Sequence, residues 1–349
     1  MNSHPVASPL QLLGVGSDKN RRLKAHLEEA MRQLNLNIAI EEVHDIHRML
    51  EHQITGIPAL LINGKVVFQR EVPSVDDLKV VLNALLGEGR FLGSAERIVV
   101  PIDFSSASLN ALDYAFALAN IQLLPVDLVH VAADHSAQDR LQKLVRQLQA
   151  STRMAPQVEI TGTLVEGAVG AELERFARNE RMLIVMGSTG SHTFAPGWLG
   201  SVSRRVALQA ACPVLLVPPQ ARYEGFQTMV YASGYHPAEE SVLPKVADLA
   251  SWYKARLYFV HVLANTLSSF SLNRNTSPPS SGYEGELVEL AKVYSPNVVQ
   301  GLLDFTRQIE ADLLMVATSR RNLLERLIMP GTTQRVLKRL EIPLLVFHL

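Results

Sequence analysis

Residues 182–219 read MLIVMGSTGSHTFAPGWLGSVSRRVALQAACPVLLVPP. MLIVMG is an unbroken apolar strand that stops at Gly187, SVSRRVALQA is a helix, and CPVLLVP is a second apolar strand. Strands without polar alternation, joined by a helix, belong to a parallel sheet covered on both faces. The same alternation extends towards the N-terminus. IVVPID (98–103), VDLVHVA (126–132) and VEITGTLVEG (158–167) read as strands; SLNALDYAFALAN (108–120), AQDRLQKLVRQLQA (137–150) and GAELERFARNE (170–180) read as helices.

The pattern occurs twice. At an offset of about 130 residues, RIVVPIDFS (97–105) falls on QTMVYASGY (227–235), and RVALQAACPVLLVPP (205–219) falls on RVLKRLEIPLLVFHL (335–349). One inserted residue near HPAEE brings VDLVHV (126–131) onto LYFVHV (257–262). Two copies of one doubly wound, five-stranded α/β domain follow, roughly 94–219 and 226–349. In the second copy residues 264–285, dominated by serine, asparagine and proline, replace the second helix and read as a mobile loop.

The first copy carries a cradle. Gly187 and Gly190 are followed by nine residues and then by Gly200-Ser201-Val202-Ser203, which opens a helix. Phosphate groups are held by backbone N–H donors; glycine permits close approach and positive φ, and a helix N-terminus adds free donors with partial positive charge. Ser201 and Ser203 add hydroxyls, and Asp103 at the first strand end can accept hydrogen bonds from adenine or ribose. This G-x2-G-x9-G-[S/T] spacing, with PIDFS at the first strand end, resembles the ATP-binding branch of the universal stress protein family. The resemblance implies that Pro101, Asp103 and Val131 line the adenine side. It implies that Met186, Gly187, Gly190, Gly200, Ser201, Val202 and Ser203 hold the ribose and phosphates of ATP, with or without Mg. Relatives that are not degenerate pair through their last strands, so PVLLVP and PLLVFH are expected to form an internal pseudo-dimer, with a homodimer as a further assembly.

The second copy is a control within the same chain. At the ungapped offset Gly187 becomes Ala317, Gly190 becomes Arg320, Gly200 becomes Pro330, Asp103 becomes Ser233 and Pro101 becomes Tyr231. This copy is expected not to bind ATP. Arg320, Arg321 and Gly331-Thr332-Thr333 retain at most the means to hold a simple anion.

Ahead of the repeats, LQLLGVG, NRRLKAHLEEAMRQLN, LNIAIEEV, the hairpin GIPALLINGKVVFQ around Asn63-Gly64, and SVDDLKVVLNALL with Ser74 as N-cap form a separate unit. GIPALLINGKVVF resembles the second half of a thioredoxin-fold domain, which implies that Pro58 is the cis proline beside its active site. Redox-active relatives carry G-x-G-C-x-x-C after the first strand; here Gly14-Val15-Gly16 is followed by Ser17, Asp18, Lys19 and Asn20. Thiol–disulfide exchange needs a thiolate, so this domain is expected to be redox-inactive, with Ser17 and Asp18 as helix-start residues and a binding groove beside Pro58 as its remaining function. The domain boundaries are 1–92, 93–220 and 221–349.

Composition narrows the function. Thirty-three Lys and Arg balance 34 Asp and Glu, and no basic stripe interleaves with aromatics, so neither nucleic acid nor a membrane surface is an expected partner. No apolar run approaches the roughly 20 residues of a membrane span, and the N-terminus lacks a signal-peptide pattern, which makes cytoplasm the expectation. The one cysteine, Cys212, reads as a core residue. His44 and His47 share a predicted helical face with no third ligand evident, and His52 follows. The chain therefore reads as an ATP-binding, nucleotide-responsive regulator or stress-protection factor with unknown protein partners. Two alternatives stay open: a slow ATP-hydrolysing enzyme, for which His192 is the titratable candidate, and an interaction scaffold that binds no nucleotide.

Overall fold

A computed structural model describes residues 8–45, 48–49, 52, 54, 56–87, 91, 95–132, 137–151, 155–189, 199–264, 269–272, 288–318 and 340–349. In chain order its elements are β1 (Leu10–Leu13), α1 (Asp18–Gln33), β2 (Ile40–Val43), β3 (Ala59–Ile62), β4 (Lys65–Gln69), α2 (Val75–Leu86), β5 (Arg97–Pro101) and α3 (Ser106–Gln122). There follow β6 (Val126–Ala132), α4 (Gln138–Gln149), β7 (Ile160–Glu166), α5 (Val169–Ala177), β8 (Met182–Gly187), α6 (Ser201–Gln209) and β9 (Val214–Val217). The second repeat contributes β10 (Thr228–Ala232), a 3₁₀ turn (Pro237–Ser241), α7 (Leu243–Tyr253), β11 (Arg256–Ala264), β12 (Ser269–Leu272), β13 (Val288–Ser295), α8 (Val298–Gln308), β14 (Leu313–Thr318) and β15 (Leu344–His348). They gather into two compact units, residues 1–90 with 233–296, and residues 91–232 with 297–349.

The first unit contains a four-stranded sheet in the order β2-β1-β3-β4, with β1 parallel to β2 and antiparallel to β3. The hairpin β3–β4 turns at Asn63 (φ 51°) and Gly64 (φ 77°), two left-handed residues as an Asn-Gly turn requires. The Ser17 hydroxyl accepts from the Asn20 N–H at 3.3 Å and starts α1. Ser74 and Asp77 form a capping box at the start of α2, an arrangement worth about 1 kcal/mol. The Ile57–Pro58 bond is cis. The predicted helical face of His44 and His47 does not form as expected: His44 precedes the helical residues, with Nδ1 2.6 Å from the Gly14 carbonyl, and His47 lies outside the described residues.

In the same unit β11 runs parallel to β13, and β12 adds antiparallel to β13. Within the expected loop over 264–285, Ala264 and Ser269–Leu272 are thus strand residues. Ser269–Leu272 pairs with Ala291–Tyr294, and β11 extends to Ala264. Strand β12 is only four residues long, too short for a sequence period to separate it from the serine-rich surroundings.

The second unit orders its strands β10-β14-β15-β9-β8-β5-β6-β7. Strands β7, β6, β5, β8 and β9 are mutually parallel and form the five-stranded sheet of the first repeat. Its order changes direction between β5 and β8, which opens a crevice at their carboxyl ends. β14 and β15 are parallel, while β15 meets β9 antiparallel through Leu344–Leu216, Leu345–Leu215 and Val346–Val214. These six side chains are essentially solvent-free, and each large aliphatic one contributes roughly 1.5–3 kcal/mol of burial. Among the described residues no helix is long and apolar enough to cross a membrane.

Cys212 lies at the foot of β9, wholly buried, and burial pushes its thiol up to about 12. A thiol so placed is neither ionised nor reachable. Ellman's reagent is expected to detect no thiol in the native chain and one per chain after denaturation; rapid labelling of the native protein would contradict this packing.

Candidate nucleotide site

Strands β5 and β8 lie side by side, with Ile98 opposite Leu183, and end at Pro101 and Gly187. Just beyond β5, the Asp103 Oδ1 accepts from the Ser105 N–H (3.0 Å) and hydroxyl (2.6 Å). Ser105 in turn N-caps α3 by accepting from the Ser108 N–H at 3.2 Å. The carboxylate is thereby held half-buried at the strand end in a fixed orientation. Between Asp103 and Ser105, Phe104 adopts φ 60°, with its ring 5.1 Å from that of His130 and the Arg140 guanidinium 4.0 Å above it.

On the other side of the crevice, α6 starts at Gly200, whose backbone is extended (φ −71°, ψ 161°) and which offers no side-chain cap. The first-turn N–H groups of Ser201, Val202 and Ser203 have no intrahelical acceptor. The helix dipole adds to them a preference for negative charge. Two of the expected donors are engaged elsewhere. The Gly200 N–H donates to the Ser188 carbonyl (2.7 Å), and the Ser203 hydroxyl to the Gly187 carbonyl (3.0 Å). Ser201 is exposed.

The described cradle glycines do not use the positive φ expected of them. Neither Gly187 nor Gly200 is left-handed. What Gly187 supplies is a missing Cβ: one placed there would meet the backbone of Ala107 at 2.8 Å and of Ser108 at 2.9 Å. Backbone cannot yield as a flexible side chain can, so the start of α3 lands on the last residue of β8 only because that residue is glycine.

These elements enclose a pocket of about 270 Å³. Nine of the ten residues expected from sequence line it: Pro101, Asp103, Val131, Met186, Gly187, Gly200, Ser201, Val202 and Ser203. Gly190 and His192 lie outside the described residues. Six further lining residues were not anticipated: Ile102, Ser108, Val129, Val169, Leu173 and Thr189. Val129 sits two residues before Val131 on the same face of β6, and Val169 and Leu173 are one helical turn apart, so periodicity alone carried a signal for three of them. Together with Val131 they give the pocket an apolar part of its lining, beside the polar helix start. Among the described residues no cluster of metal-binding side chains occurs. A Gly187→Ala substitution is expected to cost about 1–3 kcal/mol of stability by urea denaturation, through displacement of α3. Unchanged stability would show that α3 withdraws freely.

The second repeat meets this geometry at a different register from the ungapped one. The Ile102 N–H donates to the Val129 carbonyl at 2.8 Å, and the Ser233 N–H to the Val260 carbonyl at 2.9 Å. His130 Nδ1 faces the Ile102 carbonyl, and His261 Nδ1 the Ser233 carbonyl. Left-handed Phe104 touches His130, and left-handed Tyr235 stacks on His261. The extra residue therefore precedes β10 rather than following it near HPAEE. Pro101 is matched by Ala232 and Asp103 by Gly234, not by Tyr231 and Ser233. The acid remains absent at its own position, but Glu239, matched to Ser108, turns its buried carboxylate onto the Ser233 hydroxyl (2.8 Å) and Gly234 N–H (3.0 Å). Ala317 stands at the Gly187 position. Arg320, Arg321, Pro330 and the 331–333 segment lie outside the described residues.

Comparison with known proteins agrees with this organisation. The Universal stress protein family pattern matches residues 95–218 and again 225–348, and a Thioredoxin domain pattern matches 10–83. A universal stress protein of Methanocaldococcus jannaschii is 30% identical over 153 residues, covering 39% of this chain and 89% of that protein. A thioredoxin of Methanothermobacter thermautotrophicus is 24% identical over 74 residues, covering 21% of this chain and 96% of its own length. Among solved structures, a universal stress protein from Archaeoglobus fulgidus superposes with a TM-score of 0.54 at 17% identity, over 74% of this chain and 98% of that one, a likeness of fold. With two matched repeats and their shared strand-end architecture, the chain belongs to the universal stress protein family, preceded by a thioredoxin domain.

Proposed function

We propose that the first repeat binds ATP in this pocket and that the chain acts as a nucleotide-responsive regulator or stress-protection factor. The observation that carries the reading is the convergence of nine residues chosen from sequence on one strand-end pocket. Family membership supports the stress-related role. The residues fit the ligand chemically. Val129, Val131 and Leu173 offer an apolar wall to a purine, Asp103 offers an oriented acceptor to its ring or ribose, and the α6 start offers N–H donors to phosphates. At about 270 Å³ the pocket lies near the lower edge of the roughly 300–1,000 Å³ typical of small-molecule sites, with residues 190–198 outside the described wall.

In this reading the second repeat binds no ATP, because Glu239 places its carboxylate in the strand-end mouth, on the Ser233 hydroxyl and the Gly234 N–H, where it opposes phosphate. The two repeats act as an internal pseudo-dimer through the antiparallel β9–β15 contact. Bound nucleotide would then change what the strand-end face of the first repeat presents to partners.

Equilibrium dialysis with ATP tests the reading: one nucleotide per chain is expected, and none would sink it. Ser201→Glu places an acid at an exposed first-turn position, where it suits the helix dipole but opposes phosphate. Its ATP affinity is expected to fall by about tenfold or more, an electrostatic penalty near 1.4 kcal/mol, with thermal stability maintained. An unchanged affinity would remove the α6 start from the phosphate site. Two nucleotides per chain would overturn the assignment of the second repeat.

A further inference from the structure

Asp77, at the third residue of α2, is 2% exposed. Its Oδ2 accepts from the Ser74 N–H (3.0 Å) and from the Lys292 ammonium (2.8 Å), and its Oδ1 from the Tyr235 hydroxyl (2.5 Å). Nearby, the Asn83 side-chain amide donates to the Glu240 carbonyl at 3.0 Å. At the end of the helix, a Cβ on Gly87 would come within 2.8 Å of the Pro244 ring. The crevice left between Asp76, Lys79 and Val80 on one side and Tyr235, His236 and Glu239 on the other holds only about 30 Å³, room for about one water.

The residues contacted are not an arbitrary surface. By the matching hydrogen bonds, Ser233 to Leu243 correspond to the strand end and helix start that face the pocket in the first repeat. There the left-handed aromatic is Phe104, covered by Arg140 from α4. In the second repeat it is Tyr235, stacked on His261 with centroids 4.2 Å apart and planes 16° apart. The added hydroxyl reaches Asp77. A carboxylate this far from water persists only if its oxygens are satisfied, and one backbone N–H from its own domain is supplemented here by two side chains of the repeat.

We propose that the strand-end mouth of the second repeat has become a protein-docking surface whose occupant is the chain's own thioredoxin domain, seated by α2 and locked through Asp77. The N-terminal domain is then a fixed plug, and it unfolds and exchanges with this part of the repeat instead of moving on a tether. Glu239 satisfies the donors inside the mouth, and α2 closes it from outside. The proposal does not depend on nucleotide binding by the first repeat.

Hydrogen exchange on the full chain tests it. Tyr235→Phe keeps the stack on His261 and removes only the hydroxyl; Lys292→Met keeps the aliphatic stem and removes only the charge. In the double variant, amide exchange over 75–86 and 243–253 is expected to quicken together by about tenfold or more, with 106–122 unchanged. Exchange altered only around residues 235 and 292, with 75–86 as protected as before, would overturn the proposal. A second measurement leaves the lock intact. Asn83→Cys with Glu240→Cys, treated with a short bis-maleimide, is expected to yield an intramolecular link, since Cys212 is buried and inert. Failure to link would overturn the docking whatever the double variant does.

Discussion

The hydrogen atom that Gly187 carries in place of a side chain governs the first repeat. It lets the backbone of Ala107 and Ser108 descend onto the end of β8, closer than any Cβ allows. That approach fixes the first turn of α3, and so the Ser105 cap and the Asp103 carboxylate that the cap holds. The carbonyl of the same glycine receives the Ser203 hydroxyl, which ties the first turn of α6 to the same point. One residue thus joins two helix starts to one strand end, and the space between them is the pocket. Packing and ligand-binding explanations of this glycine are therefore not rivals; the packing creates the site's shape.

Much of this was legible because the chemistry of the elements is local. Unbroken apolar runs such as MLIVMG and PVLLVP marked strands buried on both faces, and Ser17, Ser74 and Asn63-Gly64 marked helix starts and a turn that the structure reproduces. Register was less legible for the same reason. A strand buried on both faces is apolar at every position, so a slip of one residue leaves its pattern nearly unchanged. The residues that fix the register of the repeats are the ones with special backbone or hydrogen-bond roles. Phe104 and Tyr235 share a left-handed conformation, as do Leu123 and Lys254 at the ends of α3 and α7, and none of these four advertises it by residue type. Sequence similarity weighs them like any other position, so it puts the inserted residue after β10, whereas the hydrogen bonds put it before.

The thioredoxin domain carries a different kind of local cost. With Ser17 and Asn20 at the positions where redox-active relatives carry cysteines, the helix start remains well formed because a serine hydroxyl caps it. Asn20 fares worse. Its carboxamide is buried against Gly14, with neither its oxygen nor its nitrogen hydrogen-bonded among the described residues. Such a group costs about 1–3 kcal/mol relative to a satisfied one. A thiol in that place would carry no comparable penalty.

Among the described residues, the strand ends of the two repeats satisfy their polar groups in different ways. Backbone donors gathered at a strand end are useful when a ligand accepts from them and costly when nothing does. In the second repeat the position of Ser108 carries Glu239, long enough to fold back onto Gly234 and Ser233, so the donors are met from within. In the first repeat serine is too short to do this, the α6 start has no side-chain cap, and Asp103 is tied to its own turn instead of filling the crevice. Ala317 stands where the first repeat has Gly187, and Glu239 is what meets the Ser233 hydroxyl and the Gly234 N–H. An open strand-end pocket and a filled one thus differ less in fold than in the reach of a single side chain.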